Sequence, residues 1–218
     1  MSIDSALPST STRWWWVRHA PVTVNQGRLY GRSDPPCETS DVEAFEGLAK
    51  ILPGQAAWVV SDLQRTHQTA AAIVAAGLTG PEKFPGEGVV TERDFAEQDF
   101  GAWQGMTYAE LADPSRQDYH QFWVAPAHKR PPQGESFVDL LERVSSGIKR
   151  ITRSHTLQDI IAVAHGGTIR AAVAVALGLP PANALSLTIG NLSVTRLDHF
   201  LIDGKESWKV HYVNRPPR

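Results

Sequence analysis

Apolar positions along the chain alternate between two periods, and the changes of period divide it into strands and helices. Residues 14–17, Trp-Trp-Trp-Val, are a short aromatic and β-branched run that predicts a buried strand, and it stops at Arg18-His19. Turn residues follow in Asn25-Gln26-Gly27 and in Tyr30-Gly31-Arg32-Ser33-Asp34. Val42, Phe45, Leu48, Ala49 and Leu52 recur at helical spacing behind a cap drawn from Thr39, Ser40 or Asp41. Residues 57–60 predict a second strand, with Ser61-Asp62 as the N-cap pair of a helix running to Gly77. Val89-Val90 is a short third strand, and residues 95–105 read as loop. Short helices are expected from Tyr108 to Trp123, ended by Pro126, Pro131 and Pro132.

Phe137, Leu140, Leu141, Val144 and Ile148 form the apolar stripe of a longer helix from Ser136 to about Ser154. Residues 160–164 are the strongest strand, and His165-Gly166-Gly167 turns from it into a helix over 168–177 closed by Gly178. Alternating runs at 185–189, 193–198 and 208–213 predict three further strands. Strands alternating with helices imply an α/β protein, a three-layer α/β/α sandwich with a mostly parallel central sheet. One domain over residues 14–218 is expected behind a flexible, polar tail at 1–13.

Composition narrows the partners. A formal net charge of −2 gives no electrostatic case for nucleic acid or an anionic membrane, so any anion must be held by a few placed cations. A single cysteine, Cys37, leaves no internal disulfide framework or thiolate metal cluster and fits a cytoplasmic location. The opening segment has no apolar core of a secretory signal, and no apolar run approaches the ~20 residues that span a bilayer.

Candidate chemistry collects at the strand ends. In open α/β sheets ligands bind outside the carboxyl ends of strands. Two predicted strands end in Arg18-His19 and His165-Gly166-Gly167, and a third delivers Arg65 one turn into its helix. Two arginines, two histidines and a glycine-rich helix start on one sheet edge describe a phosphoryl site, with forked guanidinium donors and amides at a helix N-terminus. Other routes to phosphate chemistry are missing. Position 43, where a cysteine phosphatase needs Arg after Cys37, is Glu; there is no GxxxxGK[ST] run; and Asp62-Leu63-Gln64-Arg65-Thr66 lacks a second aspartate. Gly134-Glu135-Ser136-Phe137-Val138 lacks the second glycine of a nucleophile elbow, and no metal-ligand spacing is present. A histidine nucleophile is what remains.

Four blocks then resemble the histidine phosphatase superfamily, whose fold is phosphoglycerate mutase-like. They are Arg18-His19-Ala20 with Asn25; Ser61-Asp62-Leu63-Gln64-Arg65 with Thr69-Ala70; Glu97 with Phe100-Gly101-Ala102-Trp103-Gln104-Gly105; and Gly134-Glu135-Ser136 with Ala164 to Arg170. The resemblance implies a metal- and cofactor-independent phosphomonoesterase acting on a small phosphorylated metabolite through a phosphohistidine. It implies His19 as nucleophile and Glu97 as acid, with Arg18, Arg65 and a protonated His165 stabilising the transferred group. Substrate contacts would come from Arg18, Asn25, Arg65, His165 and the Gly166 amide. Glu92, outside the block spacing, is the weaker candidate acid.

The family's mutases carry a long basic insertion, whereas here residues 106–133 form a short cap with only Arg116, Lys129 and Arg130. Phosphoglycerate mutase-type transfer is therefore the alternative, and a non-catalytic binding protein a further one. The Arg18-His19-Ala20-Pro21 opening, the Tyr30–Asp34 loop and Gly134–Phe137 are also similar to α-ribazole-phosphate phosphatases. Tyr119, Phe122 and Trp123 in the cap are candidates to stack on a base, with packing as the plainer role. Ala20 replaces the family's usual glycine, a cost if that backbone needs positive φ. Oligomeric state is not readable.

Overall fold

The computed structural model describes residues 11–124, 126–156 and 158–218, with the backbone alone at 121–124. Its strands are β1 (Ser11–Arg18), β2 (Ala57–Val60), β3 (Val89–Thr91), β4 (Asp159–Ala164), β5 (Val194–Ile202) and β6 (Lys205–Arg215). The helices are α1 (Val42–Ile51), α2 (Gln64–Ala75), α3 (Tyr108–Leu111), α4 (Gln117–Val124), α5 (Phe137–Ser154), α6 (Gly166–Leu177) and α7 (Pro181–Ala184). One sheet runs in the order β3-β2-β4-β1-β5-β6, with β1 to β4 parallel and β5-β6 an antiparallel hairpin at the edge.

The three tryptophans divide between the two faces because a strand alternates its side chains. Trp14 and Trp16 are fully buried beneath α5 and α6, stacked at 5.0 Å and 10°, with Phe95 edge-on to both. Trp15 and Val17 face α1 and α2, where the Trp15 Nε1–H donates to Asp159 at 2.8 Å. Each face of the sheet thus carries its own apolar layer, which is the three-layer sandwich expected. Truncating either buried tryptophan to alanine costs about 3–5 kcal/mol. Such a core holds the carboxyl end of β1 rigidly, and that end positions the site.

Four expectations need correction. β1 begins at Ser11, so residues 11–13 belong to the sheet: Arg13 lies opposite Asp159 and pairs with it at 2.5 Å. Residues 1–10 of the expected tail lie outside the described residues. Ser61-Asp62 does not cap α2; Asp34, in the preceding loop, accepts the Gln64 N–H at 2.7 Å instead. α6 starts at Gly166 rather than Thr168. Residues 185–189 alternate like a strand but form none, because their carbonyls serve arginine side chains rather than a ladder: Leu187 O accepts from Arg170 and Ile189 O from Arg18.

Candidate active site

Adjacent parallel strands β1 and β4 end side by side, and the His19 amide donates to Ala164 O at 3.0 Å. This brings the His19 and His165 rings to 5.2 Å between centroids, both fully buried. His19 Nδ1 lies 2.7 Å from Ala20 O. A carbonyl only accepts, so Nδ1 carries the proton and Nε2 keeps its lone pair. Nε2 is buried and has no partner among the described residues. Burial, then Arg65, then Arg18 push the His19 pKa down to about 3, so the ring is neutral at physiological pH.

His165 departs from expectation. Arg65 Nε, which can only donate, points into its Nδ1 at 3.2 Å, and its Nε2 faces Ser61 Oγ at 2.8 Å. Nδ1 is therefore the acceptor and Nε2 the donor. Burial and the Arg65 charge drive the His165 pKa well below the ordinary imidazole value. His165 is neutral, not the imidazolium expected; Arg65 fixes its tautomer, and Ser61, read as a helix cap, accepts its Nε2–H.

Arg65 is fully buried beneath the two rings, and its remaining edges donate to Gly31 O at 2.7 Å and Ser33 O at 2.8 Å. It supplies a fixed positive charge and ties down the 31–33 loop. Arg18 Nη1 donates to Ile189 O at 2.6 Å, while its Nε is buried without a partner among the described residues. Glu97 sits at the N-terminus of α6, where its Oε1 accepts the Gly167 N–H at 3.1 Å. That placement sets its negative charge at the positive pole of the helix. The Gly167 amide is thereby occupied, leaving Gly166 as the amide beside Arg18. Glu92 pairs with Arg150 at 2.7 Å and is buried.

A cavity of about 440 Å3 opens over this cluster, and of the expected residues Arg18, Asn25, Glu97 and Gly166 line it. His19, Arg65 and His165 lie beside it without lining it; the Tyr30 ring does line it, and meets the His19 ring edge-on at 6.2 Å. Asn25 is a rim residue whose Nδ2 donates to Arg28 O at 2.7 Å, closing a turn. Two residues were not singled out from sequence. Arg170 lines the cavity, with its Nε on Leu187 O at 2.8 Å, and closes the Ala164–Arg170 block. Asn191, which no pattern marked, donates to His19 O at 2.8 Å. Ala20 lies outside the left-handed region, so its methyl introduces no backbone strain.

Comparison with known proteins agrees with this geometry. The family model of the histidine phosphatase superfamily (branch 1) matches residues 14–214. The chain is 34% identical over 212 residues to the bifunctional protein Rv2228c of Mycobacterium tuberculosis, covering 94% of this chain and 54% of that one. It thus spans about half the length of that relative. It is 25% identical over 171 residues to the adenosylcobalamin/alpha-ribazole phosphatase of Escherichia coli, covering 77% of this chain and 80% of the relative. Among solved structures, mycobacterial glucosyl-3-phosphoglycerate phosphatase complexed with VO3 superposes with a TM-score of 0.76 at 28% identity, covering 94% of this chain and 99% of that one. A match that runs from residue 14 to residue 214 places the chain in the histidine phosphatase superfamily.

Proposed function

We propose that this domain is a phosphatase that hydrolyses a small phosphomonoester through a phosphohistidine at Nε2 of His19. The observation that carries the reading is the His19 tautomer: a buried, neutral ring with Nδ1–H tethered and Nε2 unpartnered. Nε2 attacks phosphorus while the ester P–O bond breaks, and Glu97, having taken the proton of the bound phosphate monoanion, passes it to the leaving oxygen. Water then attacks phosphorus, Glu97 takes a proton from it, and the N–P bond breaks to release phosphate. Arg18, the Gly166 amide and Arg170 supply donors and positive charge for the non-bridging oxygens. Arg65 acts from beneath as a fixed charge, and neutral His165, its one N–H given to Ser61, positions Arg65 by accepting its Nε–H.

Hydrolysis is favoured over mutase-type transfer by the cap. Arg130 is held by Asp139 at 2.6 Å and Arg116 by Asp118 at 3.2 Å, and neither lines the cavity. The intact set of His19, Arg18, Arg65, His165 and Glu97 argues against a catalytically silent binder. Within the monoester class, α-ribazole 5′-phosphate is the finer assignment, supported by the Arg18–Pro21 opening and the Escherichia coli relative. No helix among the described residues is long and apolar enough to cross a membrane. The lone cysteine suits the cytoplasm. His19→Ala should abolish release of phosphate from an aryl phosphate, and EDTA should leave the wild-type rate unchanged. Wild-type turnover by His19→Ala would refute the proposal.

A further inference from the structure

Beyond the catalytic cavity lies a second one of about 320 Å3. Leu29, Phe100, Tyr108 and Arg170 line both, so the two meet at a common wall. Trp103, Leu111 and Tyr119 line the second cavity further on, and among its described lining residues Arg170 alone is charged. Trp103 and Leu111 are buried in a small apolar cluster of their own, separate from the two sheet cores. The Trp103 Nε1–H donates to Asp118 at 3.0 Å, and its ring meets that of Tyr119 edge-on at 5.5 Å.

Arg170 marks the junction. A side chain on Gly166 would stand 3.7 Å from Arg170 Nη1 and 3.5 Å from Arg18 Nε, so both cations border the gap that glycine leaves. Neither makes an ion pair among the described residues, which fits a place for an anion. An anion bonded there has its substituent directed either to open solvent or across the Arg170 wall into the aromatic cleft. Apolar cavities of about 150 Å3 take up a benzene ring, and this one has about twice that room.

We propose that the cleft is the leaving-group subsite of this domain, and that it selects monoesters whose alcohol ends in an apolar ring over those of small charged alcohols. The proposal rests on the phosphatase reading for its anion site, but binding tests it without turnover. Propylphosphonate and 3-phenylpropylphosphonate carry the same anionic head and differ by the ring, and their P–C bond is not an ester. Titration calorimetry on the whole chain should give about tenfold or more tighter binding of the phenyl compound. Leu185→Trp adds a ring to the cleft wall from a half-buried position and should bring the two affinities to within about threefold. Tyr119→Ala, which removes a wall instead of filling the space, should also shrink the difference.

Equal binding of the two phosphonates by the wild type overturns the subsite. So does an advantage that survives both substitutions. If the phenyl advantage is present while neither propyl nor 3-phenylpropyl phosphate is hydrolysed, the phosphatase reading falls, and with it the leaving-group role, while the ring-binding cleft stands.

Discussion

Gly167→Ala offers the sharpest test of the role given to Glu97. A methyl group built on Gly167 falls well inside contact distance of Glu97 Oε1 and 3.0 Å from Leu140 Cδ2. Carbon and oxygen need roughly 3.5 Å, so the carboxylate must withdraw by about 1 Å and give up its 3.1 Å bond to the Gly167 amide. The fold need not follow. The obstructing atom is the end of a flexible side chain, and alanine suits a helix better than glycine by about 0.5–1 kcal/mol, which offsets the crowding at Leu140. A misplacement of about 1 Å costs on the order of 10²-fold in rate, within the range general acid catalysis contributes. The loss should appear in kcat/KM for an alkyl phosphate, whose leaving oxygen requires a proton. With p-nitrophenyl phosphate, whose leaving group departs as an anion, the loss should stay within about fivefold. Steady-state phosphate release on both substrates, with thermal melting as the control for folding, decides it. Equal losses on the two esters, or none on the alkyl ester, would refute the assignment of Glu97 as the acid.

Three further outcomes follow from the same geometry. His19 has a folded pKa of about 3 against about 6.5 when unfolded, so the unfolded chain binds the proton first and stability falls as pH drops below 6.5. At about 1.4 kcal/mol per pH unit, the wild type should lose about 2 kcal/mol more than His19→Gln between pH 7.5 and 5.0, or about 4–8 °C in Tm; equal losses would contradict the buried neutral ring. Ser61→Ala leaves the His165 Nε2–H without its 2.8 Å acceptor and should cost about 1–3 kcal/mol of stability, read by urea unfolding, together with a fall in kcat. Ala20→Gly, which restores the family's usual residue, should lower stability by about 1 kcal/mol with kcat within about twofold, because no positive φ is required there.

The parts of the fold legible in sequence were those governed by period and by chain-local chemistry. The 14–17 run, residues 57–60 and 160–164, and the Phe137-to-Ile148 stripe all became the elements their spacing implied. Their side chains find the core whatever the rest of the chain does. Residues 185–189 misled because Leu-Ser-Leu-Thr-Ile alternates perfectly well, yet two of its carbonyls are held by Arg18 and Arg170, more than fifteen residues away along the chain. Ser61 misled in a similar way: a good capping residue by type, it is directed to His165 by a contact 104 residues distant. The charge on His165 was unreadable for a physical reason. It depends on which atom of Arg65 points at which ring nitrogen, and on burial, and neither is carried by a motif. Arg170 stood in a quoted block and could have been found by asking which cations the helix start presents. Asn191 had no local pattern at all.

The central claim is that Nε2 of His19 carries the phosphoryl group between two half-reactions. Mixing the protein with a phosphomonoester, quenching in alkali and mapping peptides by mass should place one added phosphoryl group on His19, absent from His19→Ala and accumulating most when water attack is slowed. Phosphorylation at another residue, or substrate turnover by His19→Ala at the wild-type rate, would contradict the account.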